Sequence, residues 1–309
     1  MIRVLRVELC IEDLFFHPHL FSFQDDLVTN IQTYVERSRL HLMQKLGKRI
    51  WKITGPCYSY QNESVYPLPR VFYGPDSHRP AHGEAFDMIH PGKPVACDLG
   101  QKLLPVVSDR DFPDQGSILK GWITRRGLEA LRANQQPDIK DIHLAKKIFS
   151  SVFDPPSRGF GNLKVIFYVH MRDFPSQEVL KELKQEKKYK IRISNIEKNY
   201  FSFAKGDVFP AKGIFISLMT SMITDRVKEV LLNGPLPLSL PCISASTPWP
   251  LRLFVRRKQK KFYLIPEGST WFYYSDSRLM RELQQLKRNG AGEWTVYGYG
   301  KCFAGPWGG

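Results

Sequence analysis

Residues 262–290 read FYLIPEGSTWFYYSDSRLMRELQQLKRNG. The aromatic and β-branched residues of 262–264 and 270–274 predict a strand that is broken at Pro266-Glu267-Gly268. Asp276 then stands where an N-cap residue stands, before apolar residues at helical spacing that end at Asn289-Gly290. A broken strand followed directly by a capped helix is therefore the core of the predicted fold.

The segments around this stretch complete a βαββαβ order, which is the order of a ferredoxin-like (RRM-like) unit. Three further strands and one further helix make up this order: strands at 214–219, 251–256 and 293–297, and a helix at 225–232. The second half of the chain, residues 190–309, is therefore predicted to be one such unit that ends in a glycine-rich segment.

The first half repeats this order less clearly. A strand through Val7 and Leu9 precedes a helical pattern over 27–46, and a strand is predicted over 163–171. Two short helices are predicted at 125–132 and 142–153. Between them and the first helix, residues 74–117 are rich in Pro, Gly, Asp and His, which is typical of a long functional or mobile loop. We therefore expect an α+β fold of two ferredoxin-like units, 1–180 with the long 74–117 insertion and 190–309, joined near 181–190.

The charge of the chain limits its function classes. It has 309 residues, with 45 Lys plus Arg against 30 Asp plus Glu, a formal net charge of +15 at pH 7 and a pI near 9.6. Such an excess usually meets a polyanion, of which nucleic acid is the commonest. No apolar run approaches the roughly 18 residues of a membrane span, so no membrane partner is expected. Residues 1–8 lack the apolar centre of a signal peptide, so we expect a cytoplasmic protein.

The cysteines indicate neither a disulfide scaffold nor a metal site. They are odd in number and form no CxxC pair, so we expect reduced and mostly packed side chains. His17-Pro18-His19 has no acidic or cysteine ligand at suitable spacing, so no metal site is predicted there. No cofactor is expected either.

A basic cluster surrounds the turn between two predicted strands. It contains no acid, and its members are Arg252, Arg256, Arg257, Lys258, Lys260 and Lys261. Aromatic residues lie beside it, among them Phe254, Trp271, Phe272, Tyr273 and Tyr274. Cations for phosphates and aromatic faces for unstacked bases are what single-stranded RNA recognition needs. The alternative is a solvated hairpin whose aromatic side chains point into the core. A second tract, 181–192, is interrupted by acids and is typical of a solvated helix face.

The segment Gly298-Tyr299-Gly300-Lys301 invites a nucleotide-binding interpretation. Phosphate-binding glycine motifs require a helix directly after the glycines, and here Pro306 follows instead. Glycines at a strand end otherwise indicate close approach of another backbone, from either protein or RNA.

Several motifs in this order resemble the RAMP superfamily of CRISPR-associated proteins, and within it the subunits that cap the 5′ end of the guide RNA in type III-B (Cmr) effector complexes. The motifs are Ile11-Glu12-Asp13-Leu14-Phe15-Phe16, Tyr66-Pro67-Leu68-Pro69, the Gly-aromatic-apolar-Thr helix start at 121–128, Arg158-Gly159-Phe160-Gly161, Ile265-Pro266-Glu267-Gly268-Ser269, and the terminal Gly-Tyr-Gly with a closing Trp at 297–307. His17-Pro18-His19 replaces the arginine that the family places after its Phe-Phe, so another type III subtype stays open.

The resemblance implies a non-catalytic role. Such subunits grip the repeat-derived 5′ tag of the guide RNA (crRNA), and they bridge the large Palm-domain subunit to the first backbone subunit. The residues expected to contact RNA are Arg125, Arg126, Arg158, Arg256, Arg257, Lys258, Lys260, Lys261, Gly298, Tyr299, Gly300 and Lys301. No catalytic residue is expected in this role.

Two other function classes stay open. The same superfamily contains metal-independent endoribonucleases that process precursor guide RNA, typically with a histidine as general acid or base, and this chain has eight histidines. No histidine is singled out by a partner in the sequence. A generic basic assembly factor would share the charge without needing the terminal glycine segment.

Overall fold

The protein is a mixed α+β protein with few helices and mostly antiparallel sheets, which confirms the predicted class at this level. The computed structural model describes residues 3–9, 11, 27–75, 86–93, 95–96, 102–103, 106–107, 116–145, 148, 163–186, 189–194, 200–201, 212–237, 239–248, 250–253 and 261–308.

The strands, in chain order, are β1 Arg3–Leu9, β2 Ile50–Tyr60, β3 Glu63–Pro67, β4 Phe72–Pro75, β5 Asp87–Met88, β6 His90–Pro91, β7 Val95–Ala96, β8 Lys102–Leu103, β9 Val106–Val107, β10 Gly116–Ile118, β11 Gly121–Thr124, β12 Ile142–Leu144, β13 Leu163–Met171, β14 Tyr189–Ser194, β15 Gly213–Leu218, β16 Met222–Thr224, β17 Ser244–Ser246, β18 Leu251–Leu253, β19 Phe262–Ile265, β20 Thr270–Tyr274 and β21 Cys302–Trp307. The α-helices are α1 Leu27–Leu46, α2 Arg125–Arg132, α3 Gln177–Gln185, α4 Val227–Asn233 and α5 Leu279–Asn289. Short 3-10 helices occupy Gly47–Arg49, Ile139–Asp141 and Thr295–Tyr297.

The chain divides into two compact units, neither continuous in sequence. Unit 1 comprises 1–66, 145–202 and 296–298, and unit 2 comprises 67–144, 203–295 and 299–309. The division at 180–190 that the sequence suggests would place 67–144 in the first unit, whereas its contacts group it with unit 2.

Unit 1 is built on strands in the order β3-β2-β13-β1-β14. Alternating apolar residues of β1 face apolar residues of β13, with Leu5 opposite Val169 and Val7 opposite Phe167, and all four are buried. Helix α1 covers this face, since its Arg39 guanidinium lies 5.4 Å from the centre of the Phe167 ring. Burying each large apolar side chain in such a layer stabilises the fold by about 1.5–3 kcal/mol.

The core-facing side of α1 contains an ion pair. An Arg39 Nη donates to Glu36 Oε1 at 3.0 Å, and the two side chains are 0% and 5% exposed. A charged pair enclosed in this way depends on each partner remaining in place.

Unit 2 contains a sheet of order β17-β20-β15-β21. One face consists of Ile214, Ile216 and Trp271, with Leu279 and Leu283 of α5 in the same buried cluster. The helix packs there because its apolar residues recur at helical spacing. A second sheet of this unit has the order β16-β19-β18, and shorter strands form β10-β4-β5, β6-β9, β7-β8 and the pair β11-β12.

The structure confirms several predicted elements and corrects others. Helix α1 and strand β13 have the predicted bounds, and α2 is the predicted 125–132 helix. The helix predicted from residue 142 is wrong at its start, because 142–144 pair with β11 as a strand. The strand predicted over 293–297 is also wrong. Only Glu293 makes a bridge, to Ile223, and a 3-10 helix follows.

Candidate RNA-binding surface

Helix α2 begins at a side-chain cap. Thr124, the last residue of β11, accepts a hydrogen bond from Gly127 N at 3.1 Å, which satisfies one of the amides that a helix start leaves without a partner. Its own hydroxyl donates to Asp141 Oδ1 at 2.8 Å. Gly127 is required here because a Cβ would lie 2.6 Å from the Ile123 side chain. The predicted helix start therefore forms, and it is tied to the buried Asp141.

The two arginines predicted to contact phosphate in α2 both have carboxylate partners. Arg126 is bidentate to Asp141, with Nε donating at 2.9 Å and 3.1 Å and Nη2 donating at 2.7 Å. Arg125 Nε lies 3.2 Å from Glu129 Oε1. The Asp141 side chain is 5% exposed and that of Arg126 is 63% exposed. The main role of Arg126 is therefore to neutralise the buried Asp141 carboxylate.

Replacing Arg126 by alanine is expected to lower the free energy of unfolding by about 2 kcal/mol, because buried Asp141 loses its charged donors. Because the Arg126 guanidinium is exposed, this loss in the free energy of unfolding is smaller than the loss on breaking a fully buried ion pair. Arg125→Ala is the matched control and should cost about 0.5 kcal/mol, since both members of its pair are half-exposed. Chemical denaturation measures the free energy of unfolding of both variants, and equal losses of stability would contradict the assigned role of the Arg126–Asp141 pair.

Two members of the basic cluster, Arg252 and Lys261, lie in the described part of the chain, on or beside two paired strands. Strands β18 and β19 pair antiparallel, with Arg252 opposite Tyr263, and Lys261 lies exposed at the start of β19. Arg256, Arg257, Lys258, Lys260 and Phe254 lie outside the described residues, as does Arg158. Their contact with RNA stays a prediction.

Most of the aromatic side chains near this cluster are in the core. Trp271 and Phe272 are fully buried, and Tyr273 is 1% exposed. Burial raises the pKa of the Tyr273 hydroxyl well above its usual value, and that hydroxyl donates to Asn233 O at 3.0 Å. Tyr274 is 54% exposed. The stacking role proposed for 271–273 is therefore wrong, because their ring faces are covered by protein.

Gly298 and Gly300 of the terminal glycine segment each approach protein backbone of the unit to which they belong. A Cβ on Gly300, at φ +70, would lie 1.9 Å from Ala291 O, and one on Gly298, at φ +86, would lie 2.5 Å from Gly55 O. Tyr299 is fully buried, and Lys301 N donates to Thr220 Oγ1 at 2.9 Å. The segment then becomes the edge strand β21, which the sequence did not predict. Gly298, Tyr299 and Gly300 are buried, and Lys301 is partly exposed.

Three of the motifs that carry the resemblance meet within unit 2. Leu68 N donates to Gly121 O at 3.0 Å, and Arg70 N donates to Gly268 O at 3.0 Å. Gly268 adopts φ +79, where a Cβ would lie 2.8 Å from Leu68 O, so the Pro-x-Gly-Ser turn requires this glycine. Motifs that are far apart in sequence therefore form one backbone junction.

One histidine has partners that the sequence did not reveal. His41 of α1 has Nδ1 2.9 Å from the Tyr189 hydroxyl and Nε2 3.3 Å from Glu186 Oε1. Burial, followed by the charge of Glu186, raises the pKa of Tyr189 well above its usual value, so the hydroxyl keeps its proton. The side chains of His41 and Glu186 are 26% and 29% exposed. His41 and Tyr189 are 148 positions apart in the sequence, so no local spacing could indicate that their side chains lie together.

The described residues contain no group of three or more His, Cys, Asp or Glu side chains arranged to hold a metal ion. The helices of the described part of the chain include none with the length and hydropathy needed to cross a membrane. No protein-family model matches the chain. No curated protein matches it either.

Proposed function

We propose that this protein is a non-catalytic RNA-binding subunit of a type III CRISPR effector ribonucleoprotein, related to the RAMP superfamily and acting in the cytoplasm. It would hold the 5′ repeat-derived tag of the guide RNA and bridge the large Palm-domain subunit to a backbone subunit. The observation that carries the proposal is the shared order of the motifs from Tyr66-Pro67-Leu68-Pro69 to the terminal glycine segment in a strongly basic chain.

The strand orders support two ferredoxin-like units. In unit 1, β1 and β2 are joined through α1, and both pair antiparallel with β13, so β13 lies between two parallel strands. These pairings match those expected of the split βαβ arrangement and so support the proposal. In unit 2, β15 and β17 likewise both pair antiparallel with β20. Strands β14 and β21 add next to β1 and β15 in the same way.

The backbone junction of unit 2 supports the motif assignment. Leu68 of one motif is hydrogen-bonded to Gly121 of a second, and Arg70, which directly follows the first motif, is hydrogen-bonded to Gly268 of the third. A chance resemblance among short motifs has no reason to place them in contact. The formal charge of +15 adds a requirement for an anionic partner, which guide RNA satisfies.

The test is affinity purification of the tagged full chain from its native host, with sequencing of the RNA that co-purifies. We expect short RNAs that share one repeat-derived 5′ end, together with several other protein subunits. Heterogeneous RNA would favour a generic basic factor, and absence of RNA would contradict the proposal.

A second candidate function is metal-independent cleavage of precursor guide RNA. The observation that favours it is His41, held between a protonated Tyr189 hydroxyl and the Glu186 carboxylate. A histidine with a carboxylate partner can serve as general acid or base in such chemistry.

Replacing His41 by alanine separates the two functions. If the protein cleaves repeat RNA in EDTA, loss of a general acid or base is expected to slow cleavage by about 10²–10⁴-fold. A matched control is His90→Ala, because His90 is also partly exposed and its Nδ1 lies 3.1 Å from the Pro91 carbonyl oxygen. If the wild-type protein leaves the RNA intact, or His41→Ala cleaves at the wild-type rate, this second function is excluded for His41.

A further inference from the structure

An exposed tryptophan stands at the beginning of β2. Trp51 is 48% exposed, whereas Trp122, Trp271 and Trp307 are buried and Trp294 is partly exposed. An indole is the largest apolar side chain, so leaving half of it in water forgoes a substantial gain from burial. Such a residue on a sheet surface points to a binding partner more strongly than a scattered exposed leucine does.

A β-bulge directs Trp51 to one face of the sheet. In the pairing of β13 with β2, Met171 lies opposite Ile50 and His170 lies opposite Lys52, so Trp51 is the extra residue. Two consecutive residues of a bulged strand then oppose a single partner residue, and the bulge re-aims a side chain. The Trp51 ring accordingly lies edge-on to the His170 ring, with centroids 6.2 Å apart.

Basic residues surround this tryptophan. Lys48 and Arg49 are exposed in the 3-10 turn before β2, and exposed Arg172 lies beside them because its N–H donates to Arg49 O at 2.8 Å. Within the described part of the chain, Lys48, Arg49 and Arg172 form no ion pair, although the acidic Asp173 follows Arg172. We call Lys48, Arg49, Trp51, Lys52 and Arg172 the Trp51 surface.

Positive charge continues along the same side of the sheet. The register places Val4 opposite His170, and Arg6, two residues on, lies opposite Arg192. Lys190 and Arg192 are exposed on the edge strand β14. Arg6 pairs with Glu8 at 2.9 Å. Three strand spacings separate β2 from β14, about 14 Å, so the Trp51 surface adjoins a wider basic region.

We infer that the Trp51 surface binds single-stranded RNA, with a base stacked on the Trp51 indole and the flanking phosphates held by Lys48, Arg49 and Arg172. Positively charged grooves with aromatic side chains are the usual construction of single-strand binding sites. A protein interface is a poorer fit, since such interfaces are depleted of lysine, and both Lys48 and Lys52 belong to the Trp51 surface. The inference rests on the proposed RNA-binding function and adds a contact site on unit 1, outside every predicted RNA contact.

The first test measures stacking. Full-length wild-type protein and Trp51→Ala are titrated into a short fluorescein-labelled single-stranded RNA of mixed sequence, and binding is followed by anisotropy. The alanine variant is expected to bind about 5- to 100-fold more weakly, and Trp51→Phe should retain most of the affinity because a phenyl ring still stacks. Circular dichroism checks that both variants are folded. Leu232→Ala, at a side chain 72% exposed in unit 2, is the control for loss of exposed apolar area.

The second test measures charge. Changing Lys48, Arg49 and Arg172 together to glutamine should reduce the slope of log affinity against log salt concentration by about 2, because each phosphate contact on a single strand contributes about 0.7. The control removes the same charge from unit 2 through Lys228→Gln, Arg281→Gln and Arg288→Gln.

The outcomes separate this inference from the proposed function. Weaker binding by Trp51→Ala and the glutamine variant, with both controls at wild-type affinity, supports the inference. If the wild-type protein binds RNA and the Trp51-surface variants bind equally well, the inference is overturned and the proposed function stands. If the wild-type protein binds no RNA, both the inference and the proposed function are contradicted. Loss of a protein subunit from the purified complex, with RNA affinity intact, would assign the surface to a protein partner.

Discussion

Replacing Glu36 by alanine is expected to lower the free energy of unfolding by about 3–5 kcal/mol. The Arg39 guanidinium is fully buried, 3.0 Å from Glu36 Oε1, and it lies against the Phe167 ring. Removing the carboxylate leaves the Arg39 charge enclosed between α1 and the sheet without the Glu36 carboxylate that lies beside it. Since whole domains are stable by only about 5–15 kcal/mol, urea denaturation followed by circular dichroism should show a marked shift of the midpoint.

Two controls identify the cause of this loss. Glu129→Ala breaks an exposed pair with Arg125 at 3.2 Å and should cost about 0.3–0.5 kcal/mol. The double variant Glu36→Leu with Arg39→Met removes both charges, and apolar replacement of a buried pair is often neutral or stabilising. A double variant as unstable as Glu36→Ala would show that the change in packing, and not the loss of the carboxylate beside the Arg39 charge, is responsible.

Replacing Gly300 by alanine is expected to destabilise unit 2 by about 2–5 kcal/mol, from the left-handed conformation and from overpacking together. The residue has φ +70, and the new Cβ would lie 1.9 Å from the Ala291 carbonyl oxygen, which is backbone and has little freedom to move. The backbone just before β21 would have to shift. Gly300 is also held by two hydrogen bonds, since its N–H donates to Ser221 O at 2.9 Å and its carbonyl accepts from Ala291 N at 2.8 Å. Thermal and chemical unfolding measure the loss.

Gly47→Ala is the matched control for the backbone conformation. Gly47 has φ +54 with no atom within 4 Å of the added Cβ, so only the conformational cost of about 1–2 kcal/mol is expected. Similar losses for both variants would mean that the contact with Ala291 relaxes. The comparison also affects the use of these glycines in RNA-binding experiments. A glutamate at position 300 would lose binding through unfolding, so Lys301→Gln is the better probe of this segment.

Local patterns predicted the elements that have ordinary periodicity. Helix α1 and strand β13 were predicted from apolar spacing and agree with the structure. Strand β2 was missed because it contains Gly55-Pro56, a pair that normally ends a strand. The structure accommodates the pair at a register shift, where Ile166 lies opposite Cys57 and Tyr168 opposite Thr54. A bulge that depends on the partner strand leaves no trace in the sequence of β2 alone.

The candidate site was less predictable, because basic residues give no sign of their partners. Arg126 and Arg125 are equivalent in the sequence, yet Arg126 is hydrogen-bonded to the buried Asp141 carboxylate whereas Arg125 pairs with the half-exposed Glu129. The exposure of Trp51 could not be predicted, because the sequence does not predict the strand β2 to which it belongs. The terminal glycines were expected to allow close backbone approach, and Gly300 does so, but toward Ala291 of the same chain. Contacts with residues that are distant in sequence determine the roles of Arg126, Trp51 and Gly300.

The order of strands in unit 1 bears on how the chain folds while it is being synthesised. Strand β1 is synthesised well before both of its neighbours, β13 at 163–171 and β14 at 189–194. At translation rates of about 5–20 residues per second, its apolar side chains wait on the order of ten seconds or more for their partners. During that interval the apolar side chains of β1 are open to non-native contacts, so we expect production of the protein to be sensitive to chaperone supply.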